Sequence, residues 1–98
     1  MLLKNLNFTA GNKIRYRLDY SNWLEDGSTV ASGTATLVAQ TPAITDVTIS
    51  GVLVDPTGHL VFFVQGGSVN ETFTVAVQAT DSRGEIKNDT IAFTVIAP

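Results

Sequence analysis

Two runs near the C-terminus set the pattern. Phe73, Val75, Val77 and Ala79 alternate with Thr74, Ala76 and Gln78, and Ile91, Phe93 and Val95 alternate with Ala92 and Thr94. A period of two is that of a β-strand, whose side chains point to opposite faces in turn. Between the runs lie Asp81-Ser82-Arg83-Gly84 and Lys87-Asn88-Asp89, residue types that favour reversals. The chain is therefore expected to end in two half-buried antiparallel strands. Upstream, Ile14, Tyr16, Leu18 and Tyr20 alternate with Lys13, Arg15, Arg17 and Asp19, a strand with one wet face. Thr29 to Ala39 reads as a long strand whose apolar set changes phase around Ser32-Gly33, the mark of a bulge or bend, and Thr41-Pro42 ends it.

Ile44 to Ser50, with Val47 and Ile49 inward, Val52 to Val54, and Leu60 to Gln65 bring the predicted strands to about seven. Gly51 separates the first two, and Asp55-Pro56-Thr57-Gly58 precedes the third; its proline at the second place and glycine at the fourth suit a type I turn. Leu2, Leu3, Leu6 and Phe8 form an apolar arm without clear period, broken by Gly11-Asn12. Over 22–27 the strand alternation lapses. Asn22 can cap a single helical turn, with Glu25 three residues on and Gly27 closing it, which predicts one short helical turn carrying Trp23 and Leu24 inward. The fold class expected is an all-β sandwich of about seven strands. Its predicted core contains Tyr16, Leu18, Trp23, Leu24, Phe62, Phe73, Val75, Val77, Ile91 and Phe93.

The chain has 98 residues, the length of one domain spanning 1–98, with residues 1–11 as a docking arm. That length buries roughly two-thirds of the unfolded surface, enough for one core without staples. The point matters because there is no cysteine, so neither disulfides nor thiolate metal sites contribute. Six basic against nine acidic residues give a net charge of −3, which argues against nucleic-acid binding through a basic patch. Lys13, Arg15 and Arg17, with Asp19 on the same face, read as the solvated side of a strand or as protection of a sheet edge. No apolar stretch reaches the length of a membrane span, and Met1-Leu2-Leu3-Lys4 is too short for a signal peptide. A start at methionine and an end at the last strand lead to the expectation of a complete gene product.

Catalytic chemistry finds no constellation. His59 is the only histidine, placed at a turn-to-strand junction with no second soft ligand nearby. Neither a Ser-His-Asp nor a Cys-His set can be drawn, so no enzyme activity and no cofactor are expected. Glu25, Asp26, Asp46, Asp55, Asp81 and Asp89 could together hold calcium between loops, but no compact Asp-x-Asp-x-Asp cluster exists and turn chemistry accounts for each separately. Asn7-Phe8-Thr9, Asn70-Glu71-Thr72 and Asn88-Asp89-Thr90 fit the glycosylation acceptor pattern, yet read more simply as asparagine closing a turn and threonine opening a strand. Arg83-Gly84-Glu85 approximates an integrin-type tripeptide with Glu in place of the required Asp. The run Leu60-Val61-Phe62-Phe63-Val64 is apolar on both faces, whereas a sandwich strand needs only one such face. Val61 and Phe63 are thus either covered by the arm or part of a contact surface. Leu2, Leu3, Leu6, Phe8, Val61 and Phe63 are the candidate interface residues.

The stretch Leu18-Asp19-Tyr20-Ser21-Asn22-Trp23-Leu24-Glu25-Asp26-Gly27-Ser28-Thr29-Val30-Ala31-Ser32 resembles a family of small bacteriophage virion proteins of the fibre-tail adaptor or head-fibre type. The recurring pattern there is an Asp-Tyr strand, a Ser-x-Trp-Leu turn, an acidic-Gly pair and a Thr/Ser strand. Val64-Gln65-Gly66-Gly67-Ser68-Val69-Asn70-Glu71-Thr72-Phe73-Thr74-Val75 is similar to the family's apolar strand, Gly-Gly turn and aromatic-led strand. Thr80-Asp81-Ser82-Arg83-Gly84 is similar to its final hairpin. Ala35 and Leu37 stand where relatives often carry a second tryptophan, a departure in core or contact detail.

The resemblance implies an immunoglobulin-like Greek-key sandwich. It also implies a virion structural role, made in the bacterial host cytoplasm and docking on a tail, fibre or capsid scaffold. Other virion proteins, and further copies of the chain, are the partners it implies, with neither nucleic acid nor membrane among them. The rival reading is a carbohydrate- or host-surface-binding module, whose aromatic candidates are Tyr16, Tyr20 and Trp23.

Overall fold

The computed structural model describes residues 2–20, 24, 28–41, 47–56 and 58–98. It is all-β. Seven strands are present: β1 (Leu2–Thr9), β2 (Lys13–Leu18), β3 (Val30–Thr41), β4 (Thr48–Val54), β5 (Leu60–Gln65), β6 (Thr72–Asp81) and β7 (Ile86–Ile96). They form a four-stranded sheet in the order β1-β7-β6-β3 and a three-stranded sheet in the order β2-β5-β4. All neighbours pair antiparallel except β1, which runs parallel to β7.

The expected total of seven holds, but its membership differs in two places. The arm is itself a strand. Its side chains show no clean alternation because it lies at a sheet edge and carries a register shift between Leu2 and Lys4. Conversely, the two short strands predicted on either side of Gly51 are one strand, β4, with a register shift between Ser50 and Leu53. In β3 the anticipated irregularity falls between Val30 and Ser32, and a second lies between Leu37 and Ala39, beside the exposed Val38. Among the described residues there is no helix. The helical turn expected over 22–27 lies outside the described residues except Leu24, whose N–H donates to the Tyr20 carbonyl at 3.0 Å.

Both hairpins are closed by the same chemistry. Asp55 and Asp81 each accept from the N–H of the glycine three residues on, Gly58 and Gly84, which adopt φ of +83° and +87°. The carboxylate oxygens then accept from the next residue: His59 N–H to Asp55 Oδ1 at 2.9 Å, and Glu85 N–H to Asp81 Oδ1 at 2.8 Å. A type I turn followed by a left-handed residue is the three-residue hairpin, and aspartate in first place satisfies amides the strands leave open.

The core lies between the sheets. Phe62, Leu60 and Val64 from β5 meet Phe73, Val75, Val77, Ile91, Phe93 and Val95 from β6 and β7. Phe73 and Phe93 are cross-strand neighbours stacked at 4.8 Å between ring centroids. Phe8 stands edge-on to both at 6.3 Å. From the opposite sheet Tyr16 stacks on Phe62 at 5.9 Å and meets Phe93 edge-on at 5.3 Å. This aromatic column ties β1, β2, β5, β6 and β7 together through offset and T-shaped contacts, the favoured ring geometries. Tyr20, Leu18 and Leu24 pack at its margin. Trp23 and the side chains of Leu2 and Leu3 lie outside the described residues.

Candidate docking surfaces

Each sheet turns one face to the core and one outward, and the two outward faces differ in chemistry. On the four-stranded sheet the outward rows are Thr34–Gln78–Asn88 and Thr36–Ala76–Thr90, followed by Thr74–Ala92–Asn5 and Thr72–Thr94–Asn7. These central rows are short or amide side chains without a charge; the rows at the two ends of β7 add the exposed Ile86, beside Thr80 and Ser32, and Ile96, beside Thr9. Two shallow open depressions of about 250 and 320 Å³ lie along them.

The outward face of β2-β5-β4 is unlike it. The register aligns Lys13 with Gln65 and Thr48, Arg15 with Phe63 and Ser50, and Arg17 with Val61 and Leu53. Directly opposed residues in a sheet share a face. Three cations therefore stand in one file at steps of about 7 Å, beside an apolar file from β5 and β4. Lys13 Nζ lies 5.0 Å from the Phe63 ring centroid, a cation–π contact. Gly51 crosses the same ring: a Cβ there would sit 2.9 Å from Phe63 Cδ2, and its φ of +61° is one that glycine tolerates best. The bulge at Gly51 resets the phase of β4, so that Ile49, Val52 and Val54 all pack inward while Ser50 and Leu53 point out. Leu53 is 52% exposed.

The structure redistributes the candidate interface residues. Phe8 is 1% exposed and belongs to the core, because β1 pairs with β7 and aims it at Phe73 and Phe93. Leu6 is half-buried against the same cluster. The arm therefore does not cover Val61 and Phe63, which lie on the outward face of the other sheet. Val61 is itself 3% exposed: it sits in the central strand with Arg17 and Leu53 on either side, too enclosed to be the contact residue expected. Phe63 remains half-buried and reachable. On this face Leu53 is an exposed apolar residue that the pattern did not flag. The change of phase across Gly51, from Ile49 to Val52, was the available signal.

Buried polar groups meet near the start of β7. Asp89, expected in a turn, lies within the strand with its carboxylate fully enclosed and Lys87 Nζ 3.6 Å away. Tyr20 is buried nearby, and burial together with the Asp89 carboxylate pushes its phenol up to about 12. Burial likewise raises Tyr16 above its ordinary value of 10.0. His59 stands between Asp19 and Asp55, at 3.8 Å and 3.7 Å. Glu71, also buried, accepts from the Ser68 N–H and fixes the loop before β6. Among the described residues no three His, Cys, Asp or Glu side chains are grouped to hold a metal ion. No helix among them is long and apolar enough to cross a membrane.

No curated protein matches the chain. Among solved structures it is similar to the 2,6-sialyltransferase of the Vibrionaceae Photobacterium sp. JT-ISH-224, solved with CMP and lactose. The identity is 12% and the TM-score 0.58, over 100% of this chain and 18% of that one. At that identity the likeness is one of fold. The family model of the podophage GP4 fiber-tail adaptor protein gp77 matches residues 9–94, from the end of β1 into β7. A match over that much of the sequence leaves one assignment: the chain belongs to the podophage GP4 fibre-tail adaptor family.

Proposed function

We propose that this protein is a single immunoglobulin-like domain that joins virion proteins at the tail of a podophage by docking through its sheet faces. The family match over residues 9–94 carries the reading. The fold supports it in two ways. The orders β2-β5-β4 and β7-β6-β3 correspond to the B-E-D and C-F-G arrangement of an immunoglobulin sandwich, with the first strand moved to pair with the last. The molecule is elongated, 43 × 23 × 18 Å, and each of its two sheets turns one face outward. Such a body acts through contact rather than chemistry. The glycan-binding alternative draws no support from Tyr16, which is stacked within the aromatic column, or from Tyr20, which is buried.

The test is genetic. An amber mutation in the gene, grown in a non-suppressing host, is expected to yield particles that lack fibres and are restored by adding the purified protein. Particles with a full set of fibres and no trace of the protein would overturn the reading.

A further inference from the structure

We infer that the outward face of β2-β5-β4 is the side that grips a partner, and that the partner presents a protein surface combining carboxylates with apolar side chains. The inference deepens the adaptor reading and rests on it. Three observations converge. Three of the chain's six basic residues, Lys13, Arg15 and Arg17, stand in one file on a protein of net charge −3. Among the described residues none of the three is joined to a carboxylate in an ion pair. Beside the file lie the half-buried Phe63 and the exposed Leu53, the apolar centre that a contact surface needs. The opposite outward face has no file of cations: its central rows are threonine, alanine, asparagine and glutamine, and its exposed apolar residues, Ile86 and Ile96, stand at the two ends of β7.

Charge and shape also narrow the class of partner. Carboxylates on a facing protein would pair with the guanidinium groups bidentately, which phosphates could do as well. A nucleic-acid backbone, however, offers nothing apolar to cover Leu53 and Phe63, and three cations supply little affinity against an overall negative charge. An acidic protein surface meets both requirements. Complementarity of this kind steers association and fixes orientation, so binding should weaken as salt rises.

The experiment uses adaptor-deficient particles, purified from the amber mutant, as the probe. Wild-type protein, the double variant Arg15→Glu/Arg17→Glu, Leu53→Ser, and the opposite-face variant Thr36→Glu/Thr90→Glu are each added back. Bound protein is quantified after sedimentation, at NaCl from about 50 to about 500 mM, and circular dichroism verifies that each variant is folded. The expected result is loss of binding on the order of tenfold or more for the arginine variant. A smaller loss is expected for Leu53→Ser, none for the threonine variant, and falling wild-type binding as salt rises. Full binding by a folded arginine variant, or equal loss in the arginine and threonine variants, would overturn the inference. Retained particle binding with loss of duplex-DNA binding in the arginine variant would assign the file to nucleic acid and overturn it too. Failure of the wild type itself to bind the deficient particles would instead refute the adaptor reading on which the inference rests.

Discussion

Phe93 touches more of the aromatic column than any other ring, meeting Phe8, Tyr16 and Phe73 from three different strands. Phe93→Ala should therefore destabilise by about 3–5 kcal/mol, read from the urea midpoint, because a cavity at this crossing has rigid walls from both sheets. The alternation in β7 made Phe93 legible as core, while Phe8 escaped because its neighbours in β1 give no period. Tyr20 gives a second, independent test. Its folded phenol titrates near 12 against an ordinary 10.0, so the folded state holds its proton where the unfolded chain loses it. Stability from this group is fully present below pH 10 and falls as pH rises toward 12. An absorbance titration should show Tyr20 still protonated at pH 10, and its ionisation should coincide with alkaline unfolding. An ordinary midpoint for both tyrosines would contradict the burial described.

At the scale of elements, the informative places are those where the pattern slips. By pattern Gly51 reads as a break between two strands, since a glycine between apolar runs commonly ends one. It is instead a bulge inside β4, held by a left-handed backbone and by the Phe63 ring beneath it. Gly51→Ala should cost about 1–3 kcal/mol in thermal or urea unfolding, since the backbone is strained and the ring must move. The arm was unreadable for a different reason. Parallel pairing with β7 is a contact between the two ends of the chain, and no local period records a partner so far away in sequence. Deleting residues 1–9 would strip Phe8 from the core and open the β7 edge. The truncated protein should unfold at lower urea, and β7 amides should lose hydrogen-exchange protection. An unchanged unfolding midpoint would contradict the strand assignment. The hairpin turns, by contrast, were legible at Asp55 and Asp81, although Lys87-Asn88-Asp89, expected to favour the reversal, lie inside β7. Asp-x-x-Gly names its own turn; of the glycosylation-like triplets only Asn70-Glu71-Thr72 has its asparagine in a turn and its threonine opening a strand, Asn7 and Asn88 lying inside β1 and β7.

Taken as a whole, the molecule is an elongated sandwich, 43 × 23 × 18 Å, with a file of three cations on the outward face of one sheet and neutral central rows on that of the other. The basic file was visible in the sequence as alternation in β2. What the sequence alone did not reveal was its alignment with Phe63 and Leu53, because that depends on pairing across β5 and on the phase reset at Gly51. A family assignment says that such a body belongs to a virion tail, and the faces say how it could be held there. Electron cryomicroscopy of intact particles tests this most directly. The account predicts density for a seven-stranded sandwich at the junction of tail and fibre, with β2-β5-β4 turned toward a neighbouring protein. A tail map complete at side-chain detail and containing no copy of this fold would contradict it.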